Sequence, residues 1–163
     1  MLTVRCTAKL LRRLKACPAS SPASSSTRLG DWYATFLRTR PAHLILLVNE
    51  PTRLAAVLPA RAISTLAKRI PEAILMILRE LGASDEVTQS ELLEMTELRF
   101  DRTASRSVLG TMNDYIFLME WGATREDHRD FLRIAMDLNR TPVGPLKYER
   151  PDETWIVRDS TTG

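Results

Sequence analysis

The residues whose types and spacing could do chemistry lie in one stretch, Ser105-Arg106-Ser107-Val108-Leu109-Gly110-Thr111-Met112-Asn113-Asp114-Tyr115. At 3.6 residues per turn, Val108, Leu109, Met112, Tyr115, Ile116 and Met119 form an apolar stripe wide enough to seat a helix on a core. Arg106, Gly110, Asn113, Asp114 and Phe117 fall on the other side. Glycine inside a helix costs about 1 kcal/mol against alanine. Close approach of another backbone or a ligand is one physical reason to accept that cost. The pattern predicts a groove floored by Gly110 and walled by a cation, an amide and a carboxylate, with Lys9 and Lys147 as added cations. Such a set could hold a phosphate or carboxylate group, although no strong general base accompanies it. The structural alternative has Arg106 and Asp114 bonding neighbouring loops while Gly110 lets a strand cross the helix, since buried polar groups need partners anyway.

Other chemistries find less support. There is no glycine-rich phosphate loop, no dinucleotide fingerprint and no Gly-x-Ser-x-Gly elbow. His43 and His128 are the only histidines, and neither sits in a His-Glu-x-x-His pattern. His43, within an aliphatic run, reads as a core or edge histidine, and His128, beside Asp127, as a surface one. Cys6 and Cys17 stand eleven apart, neither a disulfide framework nor a zinc spacing. No metal and no cofactor are expected. The series Glu86, Glu91, Glu94 and Glu97 reads as a solvated helical face. Trp32 and Tyr33 point to opposite faces of one strand, so at most one is expected to pack inward, and Arg28, Arg38 and Arg40 only loosely complete a base-stacking surface.

Composition bounds the setting. A chain of 163 residues with 44% hydrophobic and 26% charged residues is an ordinary globular domain. The longest apolar run, Ala42 to Val48, is interrupted by His43 and is far short of the roughly 20 residues that span a bilayer. No membrane is expected as a partner. Residues 1–30 carry six cations and no acid, leaving 17 basic against 20 acidic residues, a net of −3, beyond them. This asymmetry is a weak nucleic-acid footprint. It is also transit-peptide composition, but Leu2 to Cys6 reads as a strand feeding directly into a helix. Reduced thiols suit a cytoplasmic setting.

The elements that must position the candidate residues follow from the pattern. Leu2 to Cys6 reads as a strand and Lys9 to Lys15 as a basic helix with Leu10, Leu11 and Leu14 inward. A mobile Ser/Pro-rich loop spans about 17–27. Asp31 to Leu37 and His43 to Val48 are strands, the second buried on both faces, and Arg53 to Leu58 returns antiparallel. A helix runs from about Pro71 to Leu81, closed by Gly82. Ser84 caps the next, through Met95. Thr96 to Ala104 alternates as a half-exposed strand, followed by the helix Arg106–Trp121. Thr124 with Asp127 caps a last helix to about Asn139, and a proline-framed loop, Thr141 to Tyr148, leads to an edge strand at Thr154 to Val157. The tail frays after about 158. The order predicts a single α+β domain, its sheet antiparallel-dominated and its helices packed mainly on one face.

Arg5-Cys6-Thr7-Ala8-Lys9-Leu10-Leu11, Leu29-Gly30-Asp31-Trp32-Tyr33-Ala34, Leu47-Val48-Asn49-Glu50, Arg106-Ser107-Val108-Leu109-Gly110-Thr111-Met112-Asn113-Asp114 and Gly144-Pro145-Leu146-Lys147-Tyr148 resemble, in that order, a family of small bacterial proteins described as a domain of unknown function. Thr111 departs from the pattern, where serine is usual. The resemblance implies a bacterial, cytoplasmic, single-domain protein, and it carries no activity, ligand or catalytic residue with it. Three functions are then weighed, in this order. The first is a binding or interaction module that receives a peptide, a partner protein or a small anion at Gly110. The second is a nucleic-acid-associated or antitoxin-like accessory using the basic N-terminal segment. The third is an enzyme acting on a phosphorylated or carboxylated substrate through Arg106, Asn113 and Asp114.

Overall fold

The computed structural model describes residues 1–18, 21, 23–122 and 130–160, with 122 and 156–160 as helical backbone. Its strands are β1 (Leu2–Cys6), β2 (Trp32–Leu37), β3 (Leu44–Asn49), β4 (Ala55–Pro59) and β5 (Leu98–Arg102). Its helices are α1 (Ala8–Leu14), α2 (Leu66–Glu80), α3 (Asp85–Glu94), α4 (Arg106–Gly122), α5 (Phe131–Asn139) and α6 (Pro151–Ser160). The strands form one sheet in the order β4-β3-β2-β1-β5. The antiparallel ladders β2–β3 and β3–β4 hold six and five registered pairs, against three and five in the parallel ladders β1–β2 and β1–β5. The fold is α+β with the larger share of its ladder antiparallel.

Every residue of β2 and β3 is buried. Side chains alternate across a sheet, so two strands with no exposed position need cover on both sides. The register places Val4, Cys6, Trp32, Ala34 and Phe36 on one face, with Arg5, Tyr33 and Thr35 on the other. Helix α1 covers the first face, where the Arg13 guanidinium lies 3.7 Å from the Phe36 ring centre. The start of α4 meets the second, where the Ser105 N–H donates to the Tyr33 hydroxyl at 3.0 Å. Helices thus reach both faces of the sheet. For the same reason Trp32 and Tyr33 both pack inward, correcting the expectation that only one would.

Three boundaries differ from the sequence expectation. Helix α2 starts at Leu66, with Pro71 inside it and buried. A proline there removes one bond, to Ala67 in the first turn, while its ring joins the inward face of Ile70, Ile74 and Leu78. The start of α2 is held by Arg69, which donates to the carbonyls of Pro59 at 2.7 Å and Arg61 at 2.5 Å. Thr124, Asp127 and His128 lie outside the described residues, and α5 begins at Phe131, where Asp130 accepts from the Arg133 N–H at 2.9 Å. The expected edge strand at Thr154 to Val157 is instead part of α6. Pro151 suits a first helical position, and Asp152 and Glu153 favour the positive end of the helix dipole. Trp155 anchors this helix in the core.

The Ser/Pro-rich segment expected as a mobile loop is anchored where it is described. The Ser25 hydroxyl accepts from the Thr3 N–H at 2.8 Å, and the Ser25 N–H donates to Asp31 at 2.7 Å. Arg99 donates to the Ser21 carbonyl at 2.7 Å. Short hydroxyls and main-chain groups hold here what apolar side chains hold elsewhere.

At the outer edge of the sheet, α5 packs along β4 and covers it with one side chain. The Asn139 amide oxygen accepts from the Ala55 N–H at 2.6 Å, and its nitrogen donates to the Ala55 carbonyl at 3.0 Å. Asn139 is fully buried. Asn139→Ala leaves two buried main-chain groups unpaired and should lower the unfolding free energy by about 2–4 kcal/mol, whereas exposed Arg140→Ala should change it by less than about 0.5 kcal/mol. Urea titration checks this, and equal midpoints for the two variants would refute the edge-cap role.

Candidate functional site

Helix α4 is fixed from its inner side. Val108, Met112, Tyr115 and Met119 are buried, as their spacing requires. The Ser105 hydroxyl accepts from the Val108 N–H at 3.3 Å. The Tyr115 hydroxyl donates to the Arg53 carbonyl at 2.9 Å, and Arg53 Nη2 donates to the Ser107 hydroxyl at 3.0 Å. Burial pushes the Tyr115 phenol above its ordinary range, so it stays a neutral donor. Arg53 stands in left-handed backbone at φ 59°, with its carbonyl held by Tyr115.

The outer side of α4 is open. Arg106, Gly110, Asn113 and Asp114 are all exposed there, and the sequence spacing does bring these four together. A side chain added at Gly110 would meet nothing within 4 Å. No element of the described chain crosses the glycine, and none walls a groove over it. Further along the same face, Phe117 and Trp121 are 58% and 70% exposed, their ring centres 5.8 Å apart. Lys9 does not join this face. Its ammonium sits 5.3 Å from the centre of the Phe36 ring, across the sheet from Tyr33 and the start of α4. Lys147 is exposed in the turn after α5, in left-handed backbone at φ 55°.

Two polar features have no local sequence signature. The first is an ion network on the Tyr33 face. Arg5 Nε lies 2.7 Å from Asp31 and its Nη1 3.7 Å from Asp101, which Arg99 approaches to 3.3 Å. Burial opposes the Arg5 charge, but the hydrogen bond and charge of Asp31 outweigh it and hold the guanidinium above its ordinary pKa. Arg5, Asp31 and Asp101 are far apart in sequence and are brought together as β1 pairs with β2 and β5. With every member paired, the network reads as structural. The second feature is an open hollow of about 600 Å³ lined by Cys6, Ala8, Leu11, Arg12, Lys15, Ala16, Cys17, Pro18, Arg102 and Thr103. Burial pushes the Cys6 thiol up to about 12, so it is inert at neutral pH. Among the described residues, no group of three or more His, Cys, Asp or Glu side chains is placed to hold a metal ion, and no helix is long and apolar enough to cross a membrane.

Glu91 corrects another expectation. It is 1% exposed rather than solvated, and it accepts from the Arg28 N–H at 2.9 Å. Burial raises its pKa above the ordinary value near 4.5, against the opposing hydrogen bond and charge of Arg28. The folded state therefore holds this proton more tightly than the unfolded chain does. Its stabilising contribution is complete below the unfolded value and is lost as pH rises through the folded one. Glu91→Gln, which keeps an acceptor for Arg28, should flatten the fall in stability on the alkaline side of 4.5. Thermal melts across that window check the sign, and an unchanged profile would show that Glu91 does not set it.

Fold and site together define a small mixed-sheet α+β protein with an exposed polar helix face. The chain belongs to the family described as a domain of unknown function (DUF6933), whose model matches residues 3–154. No curated protein and no solved structure matches it.

Proposed function

We propose that this protein is an interaction module that docks through the outer face of α4, and that the helix it receives is α4 of a second copy. The observation that carries the reading is the open space at Gly110, with opposite charges placed symmetrically about it. Arg106 and Asp114 lie four residues to either side, about 6 Å along the axis in each direction. In an antiparallel pair centred on Gly110, each Arg106 stands level with the partner copy's Asp114, and Ser107 stands level with Asn113. A two-fold axis makes both ion pairs from one surface, and glycine at the crossing lets the backbones approach.

Exposed ion pairs contribute only about 0–1 kcal/mol each, so they would set orientation and register. Affinity would come from covering Phe117 and Trp121, for which full burial of such a side chain is worth about 1.5–3 kcal/mol. Among the described residues the side chains of Arg106 and Asp114 make no ion pair or hydrogen bond, so neither would have to give up a partner. A bacterial, cytoplasmic setting belongs to the same reading, and free thiols at Cys6 and Cys17 suit its cytoplasmic part.

Sedimentation velocity across a concentration series tests it. Wild type should show a concentration-dependent dimer. Gly110→Leu should abolish the dimer while leaving the melting temperature equal or higher, because an exposed helical glycine is replaced by a better helix former with room for it. Arg106→Glu and Asp114→Arg should each weaken association, and the double variant should restore it. A wild-type chain that stays monomeric, or single charge reversals without effect, would overturn the proposal.

A further inference from the structure

We propose that the hollow beside α1 binds a phosphorylated small molecule of about mononucleotide size, its phosphates on Arg12, Lys15 and Arg102 and its body on the apolar floor. This site is separate from the α4 face and stands on other observations.

The first is topological. Strands β1 and β5 are neighbours and parallel. At their carboxyl ends the chain leaves β1 for α1 on the Phe36 face and leaves β5 for α4 on the Tyr33 face. Adjacent parallel strands whose connections diverge to opposite faces leave a crevice between them, the position where open sheets with helices on both faces receive ligands. Cys6, Arg102 and Thr103, at those two strand ends, line the hollow.

The second is electrostatic. Three cations and no carboxylate line the hollow. Lys15 sits in left-handed backbone at φ 52°, closing α1 above it. Asp101, next to Arg102 in β5, is already engaged by Arg5 and Arg99, and Asp31 by Arg5. Among the described residues the side chains of Lys15 and Arg102 are unpaired, and Arg12 spends only its Nε, on the Ala8 carbonyl at 3.4 Å. Guanidinium groups match phosphate oxygens two at a time.

The third is the floor. Buried Leu11 and Cys6 line it together with Ala8, Ala16 and Pro18, an apolar surface suited to a ring or carbon skeleton and not needed for a bare anion. A volume of about 600 Å³ lies in the range of small-molecule sites.

Titration calorimetry with ADP, inorganic pyrophosphate and adenosine on the full chain tests this. ADP should bind saturably, pyrophosphate more weakly for want of the floor contact, and adenosine not measurably. Arg12→Ala and Arg102→Ala should each weaken ADP at least about tenfold, as loss of a charge-assisted phosphate contact does. Exposed Arg79→Ala should not change it, and melting temperatures should stay near wild type. The proposal is overturned if neither ADP nor pyrophosphate binds, if Arg79→Ala weakens binding as much as the other two, or if a single-stranded RNA binds while ADP does not.

Discussion

Two strands without a solvent face govern this molecule. In β2 and β3 every side chain is buried, so neither surface of the sheet centre can be left to water, and the burial of several large aliphatic and aromatic groups depends on cover from both sides. The connections answer that demand. Helix α1 closes one side over Phe36, and α4 closes the other over Tyr33 and the β3 residues opposite it. Because α4 must spend its apolar stripe inward, its outer stripe is what remains to the surroundings. The two proposed binding surfaces are by-products of how the central strands are enclosed.

Polar groups near the core then fix the enclosure. Asn49 donates to the carbonyls of Leu29 and Asp31 and accepts from Thr52, tying the approach to β2 to the turn after β3. Tyr33 and Tyr115 reach from opposite partners, a strand and a helix, to pin α4 at its start and along its length. Buried amides and hydroxyls with full sets of partners specify geometry more than they add stability. Here they set where the exposed face of α4 points.

Where the hydrophobic period ran uninterrupted, the sequence was legible. The aliphatic run of β3, the stripe of α4 and the Ser84 cap of α3 all appear where their patterns place them. Arg106, Gly110, Asn113 and Asp114 of the α4 outer face could be grouped because they share one helix. What was not legible depended on partners distant in the chain. Glu91 looks solvated beside Glu86 and Glu94 until Arg28, 63 residues away, comes to lie over it. Arg102 acquires meaning only when β5 is laid against β1. Which helix covers which sheet face was not legible, because sequence order separates strands from helices without saying which side each helix takes. At α6, four residues with strand-like composition were outweighed by the proline and acids that precede them.

The single amide at Asn139 has an effect beyond the fold of one molecule. By occupying both outward main-chain groups of Ala55, with α5 lying along the strand, it removes a rung from which β4 could recruit a foreign strand. At the β5 border Arg99 is engaged by Asp101, and the exposed Arg102 is the edge charge that disfavours pairing with another strand. The molecule is guarded against edge-to-edge aggregation by an amide at one margin and by one exposed cation at the other.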